Sequence, residues 1–213
     1  MPSNRVVIFA GGSLSEDSLL LLDEEDFIIG ADHGALFLVS HGISPDISVG
    51  DFDSVTSGDL QLIRQGSKET ISCDPFDKDL TDSEMALELA LEKQPESILL
   101  TGVTGTRMDQ TLASIQMMTR ALQRQVNCSI VDAHNYITLT GSQTLVLDRG
   151  YTYVSLLPLT PEVTGITLQG FLYPLENATL KLGQSLAVSN RLLAESGIVT
   201  IESGLLLIIQ SKD

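Results

Sequence analysis

Five short segments in the first 110 residues carry glycine, aspartate or both where a β-type apolar run gives out. They are AGG (10–12), ADHG (31–34), GDFDS (50–54), CDPFDKDLTD (73–82) and TGVTGTRMDQ (101–110). The carboxyl ends of parallel strands are where an open α/β sheet builds its ligand crevice. One sheet edge would therefore gather Asp32, Asp51, Asp53, Asp79, Asp82 and Asp109, with Lys78 and Arg107 as the cations among them. Carboxylates so close repel one another unless a divalent cation lies between them, and hard oxygen donors suit Mg²⁺ presented by nucleotide phosphates. The pattern is that of a magnesium- and nucleotide-using enzyme.

Each segment has its own chemistry. In GDFDS, Asp51 and Asp53 flank Phe52, so two carboxylates at a strand exit can grip one cation while the ring turns to the core. The same D-x-D spacing also occurs in calcium loops, glycosyltransferases and helix caps. In FDKDLTDSE (76–84), Thr81 and Glu84 form a capping box, which places Asp82 in the first helical turn. An acid there favours the helix dipole without any ligand, but Asp77, Asp79 and Asp82 crowd around the single cation Lys78. Asp82 is thus a candidate metal contact or orienter of a substrate hydroxyl, and Lys78 a candidate phosphate contact. In GVTGTRMD (102–109), Gly102 and Gly105 precede a helix N-terminus, a place that favours anions, and Arg107 adds a forked phosphate donor. Gly11 and Gly12 allow a second close backbone approach. Neither glycine loop matches G-x-G-x-x-G or G-x-x-x-x-G-K-[ST], so dinucleotide-fold and P-loop chemistry are not indicated.

The elements that must position these residues alternate up to about residue 132. Strands are expected at 5–10, 27–31, 46–50, 69–73, 97–101 and 126–131, with helices near 15–23, 33–41, 57–65, 81–93 and 107–124. In the last helix, Met108, Leu112, Ile115, Met118 and Leu122 are expected to form one buried stripe. Beyond 135, short strands at 135–140, 143–148, 152–159, 163–169, 178–182, 197–202 and 204–210 point to an antiparallel sandwich, with 197–210 reading as a hairpin that turns at Ser203-Gly204. The fold class is therefore α/β: an N-terminal, mostly parallel sheet with flanking helices (1–134) and a C-terminal antiparallel β-sandwich (135–213).

Of 213 residues, 28 are acidic and 12 basic, for a net charge of −16, and most of the acids lie before residue 135. That charge argues against nucleic-acid and anionic-membrane partners, which need basic patches. Cys73 and Cys128, the two cysteines, sit in or at the end of apolar runs and are expected to be buried free thiols in a reducing compartment. The opening MPSNRVVIFAGG has too short an apolar stretch for a signal peptide, and no run approaches the ~18 apolar residues of a membrane span. A cytoplasmic protein is expected. His33, His41 and His134 show no zinc spacing, although the position of His33 allows a ligand contact.

The ordered set ADHGALFLVSHGISPDISVGDFDS, KDLTDSEMALELA, LTGVTGTRMDQTLA and LKLGQSLAVSNRL resembles the thiamine pyrophosphokinase family from about residue 6 to 209. The resemblance implies an N-terminal Mg-ATP domain, a C-terminal β-sandwich that helps form the thiamine site, and a homodimer. It also implies that Asp51 and Asp53 bind Mg²⁺, that Asp82 joins them or orients the substrate, and that Asp32, Arg107 and Asp109 complete the ATP and pyrophosphate site. Ser189 and Asn190 match the family's Ser-Asn motif near the thiamine pyrimidine. His33 and Thr106 stand where bacterial members usually carry glycine, Arg191 stands where an acid is common, and no tryptophan is present. The rival enzyme is another D-x-D metal-dependent transferase; the non-enzymatic rival is a cation- or nucleotide-binding module.

Overall fold

The structure is a computed structural model that describes residues 4–72 and 80–213. The chain separates into two compact units, Met1–Ala133 and His134–Asp213. In the first unit six strands, β1 (Arg5–Phe9), β2 (Phe27–Ala31), β3 (Ile47–Gly50), β4 (Glu69–Ser72), β5 (Ser97–Thr101) and β6 (Asn127–Val131), lie in the order β4-β3-β2-β1-β5-β6. Every neighbouring pair is parallel. Val7, Ile8 and Phe9 are all fully buried, as expected of a central strand covered on both faces. Four helices join the strands: α1 (His33–Ser40), α2 (Ser57–Gly66), α3 (Asp82–Glu92) and α4 (Met108–Gln123). The chain steps outward from β1 to β4 and then returns to β5, so the strand order reverses between β1 and β5. Right-handed crossovers put α1 and α2 on one face and α3 and α4 on the other, and within each pair the helices pack on each other.

Helix starts follow local chemistry. Thr56 caps α2 by accepting the Asp59 amide at 3.2 Å, and Thr81 caps α3 by accepting the Glu84 amide at 3.3 Å while Glu84 accepts the Thr81 amide at 2.9 Å. Arg120 of α4 then reaches Glu84 (2.9 Å) and Glu88 (3.1 Å) of α3. The helical segment expected near 15–23 is a short 3-10 helix (Glu16–Leu21). Its run of leucines has no amphipathic period, and Leu20 is exposed. The stripe expected on α4 is displaced. Met108 and Leu112 are exposed, and the buried face is Ser114, Met117, Met118 and Ala121. The first turns of α4 lie beside the cleft described below, so packing begins only at Ser114. Desolvation pushes the Cys128 thiol up to about 12, which leaves it protonated and inert at neutral pH; Cys73 lies outside the described residues.

The second unit is all β. In it β13 (Leu206–Ser211) lies between β7 (Asn135–Thr140) and β9 (Tyr153–Pro158), antiparallel to both. A four-stranded sheet runs β11-β10-β12-β8, made from β8 (Thr144–Leu147), β10 (Glu162–Gln169), β11 (Ala178–Lys181) and β12 (Ser196–Thr200). Val154, Leu156, Leu206 and Ile208 of β9 and β13 share one core with Val146, Val163, Ile166, Leu168, Leu180 and Val199 of the four-stranded sheet. The hairpin expected over 197–210 does not form. β12 pairs with β10 and β8, whereas β13 pairs with β7 and β9, so the chain changes sheets between them. At that corner Gly204 adopts φ +90° and Ser203 bridges to Thr164 of β10, which carries the chain away from its own predecessor.

One glycine is indispensable to the α1–sheet contact. A Cβ at Gly34 would lie 2.0 Å from the Phe9 carbonyl oxygen, so Gly34→Ala should destabilise the protein by more than about 2 kcal/mol and lower its melting temperature by several degrees. Gly42→Ala, with φ +74° and nothing within 4 Å, carries only the backbone penalty of about 1 kcal/mol. Equal melting of the two variants would contradict the packing described.

Candidate active site

The strand-order reversal leaves the ends of β1 and β5 free to line a crevice. There the strands' pairing continues into the loops: the Ala10 amide donates to Thr101 O (2.9 Å), Gly12 to Gly102 O (2.6 Å) and Ser13 to Thr104 O (2.8 Å). A Cβ at Gly12 would meet Thr104 O at 2.4 Å, and one at Gly102, where φ is +69°, would meet Ala10 O at 2.3 Å. These glycines therefore serve loop-to-loop contact, and the Gly12 amide is already used within the protein. The two loops form one wall of a cleft of about 760 Å³.

The cleft brings together most of the residues singled out in the first unit. Gly11, Gly12, Asp32, Thr81, Asp82, Gly102, Gly105 and Arg107 all line it, as do the N-termini of α3 and α4. Asp51, Asp53 and Asp109 are not among the lining residues. Lys78 lies outside the described residues, as do Asp77 and Asp79. Asp51 and Asp53 nevertheless share the field of the lining carboxylates. The Asp53 amide donates to Asp51 Oδ1 at 3.1 Å, and the Asp53 carboxyl is held above the ordinary carboxylate range, chiefly by the Asp51 charge and hydrogen bond, with smaller contributions from partial desolvation and from Asp32 and Asp82. Four acids from β2, β3 and the start of α3 thus meet in one electrostatic neighbourhood. Phe52, between Asp51 and Asp53, adopts φ +55° and buries its ring against Ala35 and Ile63. The anchored ring fixes the two flanking carboxylates.

Asp32 occupies an unusual backbone conformation, φ +48° and ψ −116°, just before α1. Its Oδ2 accepts a short hydrogen bond from Ser54 Oγ, and its Oδ1 is buried with no partner among the described residues. Ser54 and His33 touch each other at 2.9 Å beside Asp32; sequence reasoning passed over Ser54 and noted His33 only by its position. The sequence signal was only the serine that closes GDFDS.

Arg107 behaves differently from the expectation of a guanidinium waiting for phosphate. It is the N-cap residue of α4, and its Nε and terminal nitrogen bind Asp109 at 3.2 and 2.5 Å. The hydrogen bond to Arg107 is the main reason the Asp109 carboxyl lies below its usual range. Both side chains are well exposed, so the pair can open at little cost.

In the second unit Ser189 adopts φ +59°, and its amide donates to Ser155 Oγ at 3.0 Å. Asn190 is buried, and its amide group is spent internally: Oδ1 accepts from Tyr173 N (3.0 Å) and Arg191 N (2.8 Å), while Nδ2 donates to Tyr173 O (2.7 Å). Asn190 ties the 171–174 segment to the 188–192 turn. Arg191 stacks over the Tyr153 ring at 5.0 Å.

The residues present fit a divalent cation. The donors are carboxylate oxygens, of which the Asp53 carboxyl is held above its usual range by its neighbours, and Asp32 Oδ1 is buried with no partner among the described residues. Among the described residues no three acids, cysteines or histidines form a ready-made metal cage. Carboxylate oxygens are hard donors of the kind that Mg²⁺ takes one or two of, completing its shell with water and substrate phosphates.

Two family descriptions match the chain: "Thiamin pyrophosphokinase, catalytic domain" over residues 19–130 and "Thiamin pyrophosphokinase, vitamin B1 binding domain" over residues 137–206. The chain is 34% identical to the thiamine pyrophosphokinase of Bacillus subtilis over 97% of its own length and 98% of that protein's. Its structure is similar to the crystal structure of a thiamine pyrophosphokinase from Bacillus subtilis, with TM-score 0.91 and 33% identity over 98% of this chain and 99% of that one. It is also similar to the crystal structure from Geobacillus thermodenitrificans, with TM-score 0.88 and 32% identity over 98% of each chain.

The carboxylate crowding makes a signed prediction. An acid whose folded pKa is raised costs stability once it ionises, so its contribution falls as pH rises through the folded value and is neutral below the ordinary value of 3.8. Asp53→Asn should therefore melt at or above the parent protein near pH 7, with the difference closing as pH falls towards 4. A lower melting temperature for Asp53→Asn at pH 7 would contradict the repulsion. Asn190→Ala should cost about 1–3 kcal/mol by orphaning three polar partners, read as a lower melting temperature for the whole protein.

Proposed function

Because the chain belongs to the thiamine pyrophosphokinase family, we propose that it transfers the pyrophosphoryl group of ATP to the primary hydroxyl of thiamine, giving thiamine diphosphate and AMP. The observation that best supports the reading is the meeting of Asp32, Asp51, Asp53 and Asp82 beside a cleft walled by two glycine loops and two helix N-termini. In this reading Asp51, Asp53 and Asp82 hold Mg²⁺, which when bound neutralises charge on the phosphate oxygens. The helix N-termini and Gly105 loop favour the polyphosphate. Arg107 exchanges Asp109 for phosphate oxygens, and Asp109 keeps the guanidinium oriented until then. Thiamine is a cation, and an acidic cleft attracts it as well as the metal.

The chemical step forms a bond from the thiamine hydroxyl oxygen to the β-phosphorus and breaks the bond from that phosphorus to the oxygen bridging the α-phosphorus. AMP leaves with that oxygen, and a carboxylate of the cluster takes the hydroxyl proton. Reaction at the γ-phosphorus would instead release ADP. The comparisons do not favour a different D-x-D transferase.

The β-sandwich is assigned to thiamine through Ser189, with Asn190 shaping the turn from behind. Leu172, Tyr173, Leu186, Val188 and Leu193 are all exposed around that turn, and we assign this apolar surface to a homodimer. Among the described residues no helix is long and apolar enough to cross a membrane.

Two measurements test the reading. Arg107→Lys keeps the charge but loses the fork, so kcat should fall roughly 100-fold with a much smaller change in KM for ATP. Chromatography of the products should give AMP with thiamine diphosphate. ADP with thiamine monophosphate would overturn the assignment, and a fully active monomer in sedimentation would overturn the dimer.

A further inference from the structure

His33 is exposed enough to be taken for a surface residue, yet its ring is part of a three-member chain. Ser54 Oγ donates to Asp32 Oδ2 in a short hydrogen bond and lies 2.9 Å from His33 Nδ1, which is itself 3.3 Å from Asp32 Oδ2. A serine hydroxyl has a single proton. Once that proton goes to the carboxylate, Ser54 Oγ can only accept from His33, so Nδ1 must carry hydrogen. In the neutral ring this leaves the lone pair on Nε2.

Asp32 needs such a device. Its backbone, at φ +48°, lies outside both strand and helix regions, and the carboxylate stands at the cleft wall with Oδ1 buried and without a partner among the described residues. Neither β2 nor α1 dictates how that carboxylate is turned. We propose that His33 and Ser54 are positioning residues, a proton-ordered relay Nδ1–H to Oγ–H to Oδ2 that fixes the orientation of the Asp32 carboxylate at the cleft wall by one oxygen. The relay crosses from the end of β2 to the loop after β3, so it also holds Ser54, and with it the adjoining Asp53, against Asp32.

The catalytic part of this proposal rests on the pyrophosphokinase reading, and the tautomer part does not. Long-range ¹H–¹⁵N spectra of the protein without substrates, with the His33 signals identified by their loss in His33→Ala, should show Nδ1-protonated His33. In steady-state assays Ser54→Ala should lower kcat by roughly 10- to 100-fold, as for partners that orient a ligand group, with KM for thiamine unchanged. Ser54→Thr, which keeps the hydroxyl, should restore most of kcat. His33→Ala combined with Ser54→Ala should cost no more than Ser54→Ala alone, because the two act as one unit. An Nε2-protonated His33 in the parent protein, or losses in the double variant that multiply, would overturn the relay. Absence of thiamine diphosphate formation by a protein that shows the expected tautomer would count against the pyrophosphokinase reading alone.

Discussion

Mutual repulsion among carboxylates is the constraint around which the first unit is arranged. Asp53 feels Asp51, Asp32 and Asp82 at once, and so pays for every one of them that is ionised. Chains do not keep such an arrangement for stability, and here it is held by force from several directions. Phe52 is pinned in the core with a left-handed backbone, Asp32 is placed in an unusual conformation before α1, and Ser54 ties the two segments together. Under the function proposed above, a cation placed among these carboxylates would offset that repulsion.

The surrounding glycines belong to the same arrangement. Gly12, Gly34 and Gly102 lie where two backbones meet closer than a methyl group permits, so β1, β5 and α1 converge at one point. That convergence lets loops from distant parts of the sequence share one cleft wall. In the second unit Asn190 does comparable work with a side chain in place of an absent one, closing three hydrogen bonds between two loops.

Much of this was legible from the residues. Most of the six parallel strands announce themselves as apolar or β-branched runs, β4 (ETIS) and β6 (NCSIV) least clearly, and Thr81 with Glu84 marks the start of α3 through a reciprocal hydrogen-bond pattern that is purely local. The acid-bearing strand exits were readable because parallel topology puts them on one edge. What escaped was set by tertiary contact. The contact of His33 with Ser54 depends on β2 lying beside β3, and Arg107 meeting Asp109 two residues on depends on how α4 begins. Ser189 and Asn190 stood out as a motif, but nothing in their spacing tells that the asparagine amide faces inward. The exposure of Met108 and Leu112 follows from the cleft, which a helical period cannot see. Ser203-Gly204 has the chemistry of a tight hairpin, yet the strands either side of it find partners in separate sheets, because pairing is decided across the sandwich and not along the chain.

That change of sheet bears on how the second unit comes into being. β13 follows every other strand in chain order and yet is the one that joins β7 to β9, its register spanning Leu206 to Ser211 against both. Until it is in place those two strands have no ladder between them, although β8, β10, β11 and β12 can already pair among themselves. Its contacts reach back some seventy residues to β7, a large loop to close. During synthesis every strand of the parallel-sheet unit emerges before β13 does, and the ladder that joins β7 to β9 can form only once Leu206–Ser211 has emerged.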